Sequence, residues 1–356
     1  GQPPGNLISG NNGRGLELSG SDHLVQGNLI GTDVSGTRPL RNGSDGVVAD
    51  AFRCWIGGTN AGAGNVISGN GINGINTTSS AASTNVIAGD WIGTDVTGTL
   101  NLSNAGHGIR ISGARSCTLG PANVIAFNGG NGVALQAFSA IQNRITANAI
   151  YGNALRGIDL ANGNVLDGVS PNDACDGDAS LPNQWQNYPV LTNAFSTAAS
   201  TTIEGYLSSA AQAVYLLEFF ASDSCDSSGY GEGQTYLGFI TLTNAANCTN
   251  SFSATLSVGS LGGKLITATA TDTNHNTSEL SACYAATDAA PPTLLATPAG
   301  VGQVLISWTP ATGTNWILRE SGSLAPANWT NAPSGATNPI VVPATLPAKF
   351  YRLFKP

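Results

Sequence analysis

The sequence predicts an all-β chain. Its first 160 residues wind into a right-handed parallel β-helix, followed by an antiparallel β-sandwich and a small C-terminal β-module. Three observations carry this. An Asn-hydrophobic-Ile step recurs at Asn6-Leu7-Ile8, Asn28-Leu29-Ile30, Asn65-Val66-Ile67, Asn123-Val124-Ile125 and Asn148-Ala149-Ile150, with Asp90-Trp91-Ile92 filling one slot. Between the steps stand short strands led by glycine, at Gly15, Gly46, Gly74, Gly108, Gly132 and Gly157. No helical period of ten to fifteen residues occurs, which excludes a doubly wound α/β fold.

The steps are 22, 37, 25, 33 and 25 residues apart, so short and long units alternate. Strands of three to five residues in a coil of this length describe a parallel β-helix. Alternation along a strand turns Leu16, Leu18, Ile109 and Ile111 inward, and Glu17 and Arg110 outward. Asn and Gly suit the corners because both tolerate left-handed backbone angles, and stacked Asn side chains can bond from coil to coil. Parallel connections are overwhelmingly right-handed. The repeat fades after "RGIDL" at 156–160. The predicted boundaries are 1–160 for the β-helix, 161–187 for an Asp/Asn-rich junction, 188–287 for the sandwich, and 288–356 for a linker ("DAAPPT") and C-terminal module. The sandwich rests on "TTIEGYL", "VYLLEFFAS", "TYLGFITLT", "SFSATLS" and "KLITATATD", which alternate β-branched and aromatic residues.

Only 10% of residues are charged, so polarity comes from hydroxyls and amides, a composition common in extracellular β-proteins. A net charge of −8 without a basic stripe argues against a nucleic-acid partner. No apolar run reaches the roughly 18 residues of a membrane span. "GQPPGNLISGN" at 1–11 matches the tail of "IGGTNAGAGNVISGN" at 56–70, so Gly1 is expected to lie inside a repeat of a longer, exported protein. Six cysteines in such a chain permit disulfides without fixing their pairing. Cys54 and Cys117 occupy equivalent slots two coils apart, too far to bridge, and are expected as buried thiols. A Cys175–Cys248 bridge is one of the pairings left open.

The long units carry "GNLIGTDVSGT" at 27–37 and "GDWIGTDVTGT" at 89–99. Asp33 and Asp95 would stand roughly 10 Å apart, two coils of ~4.8 Å, near the spacing of an inverting carboxylate pair. An Asp that recurs with its repeat is better explained by bonding the backbone of its own turn. Gly106-His107-Gly108 echoes an element of β-helical glycosidases, but His107 stands where other units have Asn73, Asn131 and Arg156, which makes it a corner residue. A lyase needs a Lys or Arg base beside calcium carboxylates; no lysine precedes Lys264, and the arginines are scattered. The densest oxygen-rich stretch is "DGVSPNDACDGDAS". There Asp167, Asn172, Asp173, Asp176 and Asp178 are candidate ligands for a structural Ca²⁺ that would stiffen the junction, although the spacing is not that of an EF-hand. Trp308 in "LISWTP" reads as core, Trp91 as outward-facing, and Asn76-Thr77-Thr78 as a glycosylation sequon.

On "NVISGN…GI…IGTD…GT…IGG", and on "GIDL…PND" leading into "LEFFA…C…GYGEGQ…LG…ITATATD…N.SE.S.C", the first 285 residues resemble bacterial secreted right-handed parallel β-helix repeat proteins with a following Ig-like domain. "ANWTN…FYRLFKP" resembles the terminal modules of large exported proteins of Verrucomicrobia-like bacteria. The resemblance implies that the sandwich is Ig-like and that Cys225 pairs with Cys283. It implies no activity, since a fold does not confer one.

The expected function is that of a secreted or cell-surface structural or adhesive protein. Its partners would be copies of itself or an extracellular polysaccharide. An unpaired first coil would template head-to-tail filaments. The alternatives are a polysaccharide hydrolase or lyase and a non-catalytic carbohydrate-binding protein.

Overall fold

The computed structural model describes residues 5–288, 293–309, 316–344 and 348–354. The linker expected at 288–293 and the start at Gly1 lie largely or wholly outside them. Residues Gly1–Asp288 form one compact unit and Ala289–Pro356 a second.

The first part of the larger unit is built from three parallel sheets that the chain visits in rotation, which makes it a parallel β-helix. On the first face each Asn-hydrophobic-Ile step is one rung. The Cα partners run Leu7, Leu29, Val66, Trp91, Val124, Ala149, and beside them Ile8, Ile30, Ile67, Ile92, Ile125, Ile150. The isoleucines point inward; Ile30, Ile67, Ile92 and Ile125 have no exposed surface. Each contributes about 1.5–3 kcal/mol relative to exposure. The second face is made of the Gly-led strands, including Leu16–Ser21, Val47–Phe52 and Ile109–Ser112. The third face comprises Leu24–Val25, Trp55–Gly57, Val86–Ala88, Thr118–Leu119 and Arg144–Ile145. The Asn-hydrophobic-Ile pattern did not reveal it, because the slot before its strands holds His23, Cys54 and Cys117 as well as Asn85 and Asn143.

Asparagine side chains form columns at the corners. In one, Oδ1 of Asn28, Asn65, Asp90, Asn123 and Asn148 each accepts the backbone N–H of the residue one coil earlier. In another, Asn42, Asn70, Asn104, Asn128 and Asn153 stack with Nδ2-to-Oδ1 bonds of 2.8–2.9 Å. A corner that must turn has backbone groups its own coil cannot pair. A carboxamide donates and accepts at once, so it satisfies them while linking to the next coil. Cys54 and Cys117 alternate with Asn85 and Asn143 in a further column, buried and unbridged.

Residues 190–288 form two four-stranded sheets. Thr249–Leu256, Thr201–Ser208, Val190–Ser196 and Thr287–Asp288 make one; Thr235–Thr243, Val214–Ser222, Leu265–Asp272 and Tyr284–Ala285 make the other. Ile203, Leu207, Leu217, Phe219 and Ile266 share the core between them. Val214–Ser222 reads as almost continuously apolar because it is buried on both faces. Phe219 enters this core, whereas Phe220 joins the β-helix core together with Leu280. The second sheet therefore lies across the last coil, over Ile150 and Ile158, which is why the two bodies form one unit. In the smaller unit, Thr293–Gly300, Gln303–Thr309 and Ile340–Pro343 form one sheet, and Ile317–Ser321, Thr330–Asn331 and Phe350–Phe354 another. Its core holds Ile306, Trp308 and Leu318.

Candidate functional site

The repeated undecapeptide is a flap held by its own aspartate. Asp33 Oδ1 accepts from Ser35 N–H (3.1 Å), Ser35 Oγ (2.6 Å) and Thr37 N–H (3.3 Å). Asp95 Oδ1 accepts from Thr97 Oγ1, Thr99 N–H and Leu100 N–H at 2.9–3.1 Å. The Ser35 hydroxyl, with backbone donors, holds the Asp33 carboxyl below the usual range. For Asp95, partial burial pulls upward but is outweighed by bonds from Leu100, Thr97 and Thr99. Short bridges, Thr32 to Pro39 and Thr94 to Asn101, close each flap at its base. The tips sit on the apolar outer surface of the first face. A Cβ on Gly36 would lie 3.3 Å from Leu29, and one on Gly98 3.5 Å from Val124. Tyr151 Oη donates to Gly98 O at 2.6 Å. Both glycines have positive φ, 66° and 73°, which the turn requires.

His107 is a link in a corner column. Asp45 Oδ1 accepts Asn73 N–H, Asn73 Oδ1 accepts His107 N–H, His107 Nδ1 accepts Asn131 N–H, and Asn131 Oδ1 accepts Arg156 N–H, at 2.8–3.0 Å. An accepting Nδ1 fixes the proton on Nε2, and burial followed by the Arg110 charge lowers the ring's pKa. The imidazole thus does an asparagine's work. Asn76, the expected sequon, is buried and donates to Asp45.

The five residues expected to bind calcium are placed differently from one another. Asn172 is turned onto Tyr188, exchanging bonds of 2.8 and 3.0 Å with its backbone. Asp173 accepts from Gly177 N–H and Asn187 Nδ2. Asp176 accepts from Asn187 N–H at 3.1 Å and Ser209 Oγ at 2.5 Å. Burial pushes the Asp176 carboxyl up to about 6, and the charges of Asp173 and Asp178 add to it. Asp178 is raised by burial and by Asp173. The charge of Asp167 bears instead on Asp159. Among the described residues no three His, Cys, Asp or Glu side chains converge as a metal would require. Disulfides join Cys175 to Cys248 and Cys225 to Cys283, with Cα atoms 5.1 and 6.2 Å apart. The first ties the junction to the sandwich at the point where calcium was expected to act.

One cleft was not anticipated from the sequence. It holds about 340 Å³ between the last coils, the start of the junction and the 226–228 turn, and is lined by Asn131, Arg156, Asp159, Leu166 and Asp226 among others. Asn131 Nδ2 donates to Asp159 Oδ2 at 3.0 Å. Asp159 Oδ1 and Arg156 Nη1 are buried without hydrogen-bond partners. Burial pushes the Asp159 carboxyl up to about 6, against the Asn131 bond and the Arg156 charge. The available signal was an aspartate inside "GIDL", a strand otherwise buried. Among the described residues no helix is long and apolar enough to cross a membrane. No protein-family model matches the chain.

Proposed function

We propose that this chain is an extracellular structural or adhesive protein, in which a right-handed coil forms a stiff rod and an Ig-like domain covers one end. The carrying observation is where the polar residues go. Most asparagines of the coils, together with Asp33, Asp45, Asp90 and Asp95, are committed to corner columns and flaps, and these recurring residues are the ones a catalytic reading would have to draw on. Two disulfides and a low charge content fit an oxidising exterior. Filament growth by direct stacking of coils needs two free coil ends, and the sandwich occupies one; self-association in this reading runs through side surfaces instead. Leu24 and Trp55, exposed Cα partners on the third face, offer an apolar patch there. Purified protein incubated with acidic and neutral polysaccharides should release no reducing ends. Release that disappears in Asp159→Asn would overturn this reading in favour of an enzyme.

A second reading, carbohydrate binding without catalysis, draws on the cleft at Arg156 and Asp159. The cleft wall brings Arg156, Asp159 and Asp226 together, and such groups hydrogen-bond sugar hydroxyls, which both give and accept. Binding on a glycan array that is lost in Arg156→Ala supports it; no binding removes it. Calcium at the 173–178 loop is proposed for the mutual repulsion of Asp173, Asp176 and Asp178. A melting temperature that drops on chelation and recovers with Ca²⁺ supports the ion, and an unchanged one removes it.

A further inference from the structure

Along each coil the backbone N–H groups alternate between the coil before and the coil after. In the last coil those that face forward meet the sandwich and junction instead, Ile150 N–H at Gly233 O (2.9 Å) and the others at side chains. On the third face, Ile145 N–H donates to Thr277 Oγ1 at 2.9 Å and Ala147 N–H to Glu218 Oε1 at 3.2 Å. Beside the first face, Gly152 N–H donates to Glu232 Oε2 at 2.8 Å. On the second, Leu160 N–H donates to Glu279 Oε1 at 2.8 Å, while Glu279 Oε2 takes Ser170 N–H at 2.9 Å. Asn143 N–H donates to Asn183 Oδ1. One glutamate thus serves each face, and all three are more than nine-tenths buried.

We propose that Glu218, Glu232 and Glu279 form a proton-controlled latch that clamps the sandwich onto the coil end when protonated and loosens it when ionised.

The geometry supplies the reason. An isolated buried carboxylate is expensive unless a cation pairs with it. Among the described residues none of the three has an ion-pair partner within 4.0 Å. The charged and titratable groups facing them are mixed. Glu218 faces Arg144 and Tyr236. Glu232 faces Asp226. Glu279 faces Asp159, Arg156 and Tyr188. Glu218 Oε2 and Arg144 Nε are both buried without partners, so this cation does not close on its carboxylate. Burial pushes Glu232 up to about 7 and Glu279 up to about 8, and raises Glu218, each against the backbone bonds that favour the charged form. A folded pKa above the unfolded one gives stabilisation that is complete below about 4.5 and fades as pH rises through the folded values, here about 7 to 8.

The test is hydrogen exchange on the intact chain between pH 6 and 9, corrected for intrinsic rates, in wild type and in Glu218→Gln/Glu232→Gln. Glutamine keeps the accepting oxygen at both sites and cannot ionise. In wild type, protection of the 145–160 amides should fall at least about tenfold across this range while the central coils hold theirs. The double variant, which retains Glu279, should lose clearly less. Flat protection in wild type, an equal loss in the central coils, or an identical profile in the variant overturns the latch.

Discussion

Replacing Asn104 by alanine is expected to destabilise the chain by about 3–5 kcal/mol, among the largest single effects available in it. Oδ1 of Asn104 accepts both the backbone N–H and Nδ2 of Asn70, at 3.0 and 2.9 Å. Its Nδ2 donates to Ile67 O and Asn128 Oδ1, both at 2.9 Å. Truncation leaves Asn70 N–H and Asn128 Oδ1 without partners and takes the shorter of their bonds from Asn70 Nδ2 and Ile67 O, in a place the structure seals from water. The loss cannot be confined to one coil, because Asn70 and Asn128 are themselves rungs of the column. Asn12, exposed and without a side-chain bond among the described residues, serves as control; Asn12→Ala should change stability by no more than about 0.5 kcal/mol. Urea unfolding of the two variants checks this. Equal midpoints would mean that the columns accompany the fold without supporting it.

Asp90→Asn is expected to act in the opposite direction, stabilising by about 1–3 kcal/mol at pH 8. Asp90 is fully buried in an asparagine slot. Its Oδ1 accepts from the N–H and Nδ2 of Asn65 at 2.7 and 2.9 Å, as an asparagine would. Its neighbours also donate through Nδ2, Asn65 to Val25 O and Asn123 to Ile87 O. An ionised aspartate has nothing to donate, and Asp90 Oδ2 is left without a partner. Burial pushes its carboxyl up to about 7. With the folded pKa raised, its stabilisation is present below the unfolded value and is lost as pH rises through about 7. The gain from Asp90→Asn should accordingly be small at pH 5 and full at pH 8. Thermal melts at the two pH values decide it; a lower melting temperature at pH 8, or the same gain at both, would contradict the column as described.

Much of the site chemistry was legible because its context repeats. Asp33 and Asp95 were readable as turn residues, and His107 as a corner residue, since each shares its slot with residues of the same local duty. The acidic run at 167–178 was less legible. Carboxylate density is visible in a sequence, but the hydrogen bonds that Asn187, Ser209 and Tyr188 bring to it come from segments 11 to 33 residues away. Asp159 and Arg156 stand three apart, yet their cleft is completed by the turn at 226–228.

Alone, the sequence determined the coil: its period, its inward isoleucines and its asparagine corners. Those features follow from stacking, where each rung meets a copy of itself and the period records the contact. Tertiary structure decided the third face, the two-sided burial of Val214–Ser222, and the roles of Glu218, Glu232 and Glu279. The third face repeats, but in steps whose leading residue varies; the contacts of the sandwich strand and of the three glutamates occur once, with Glu279 reaching a residue 119 positions away, and a single meeting leaves no periodic trace in the chain.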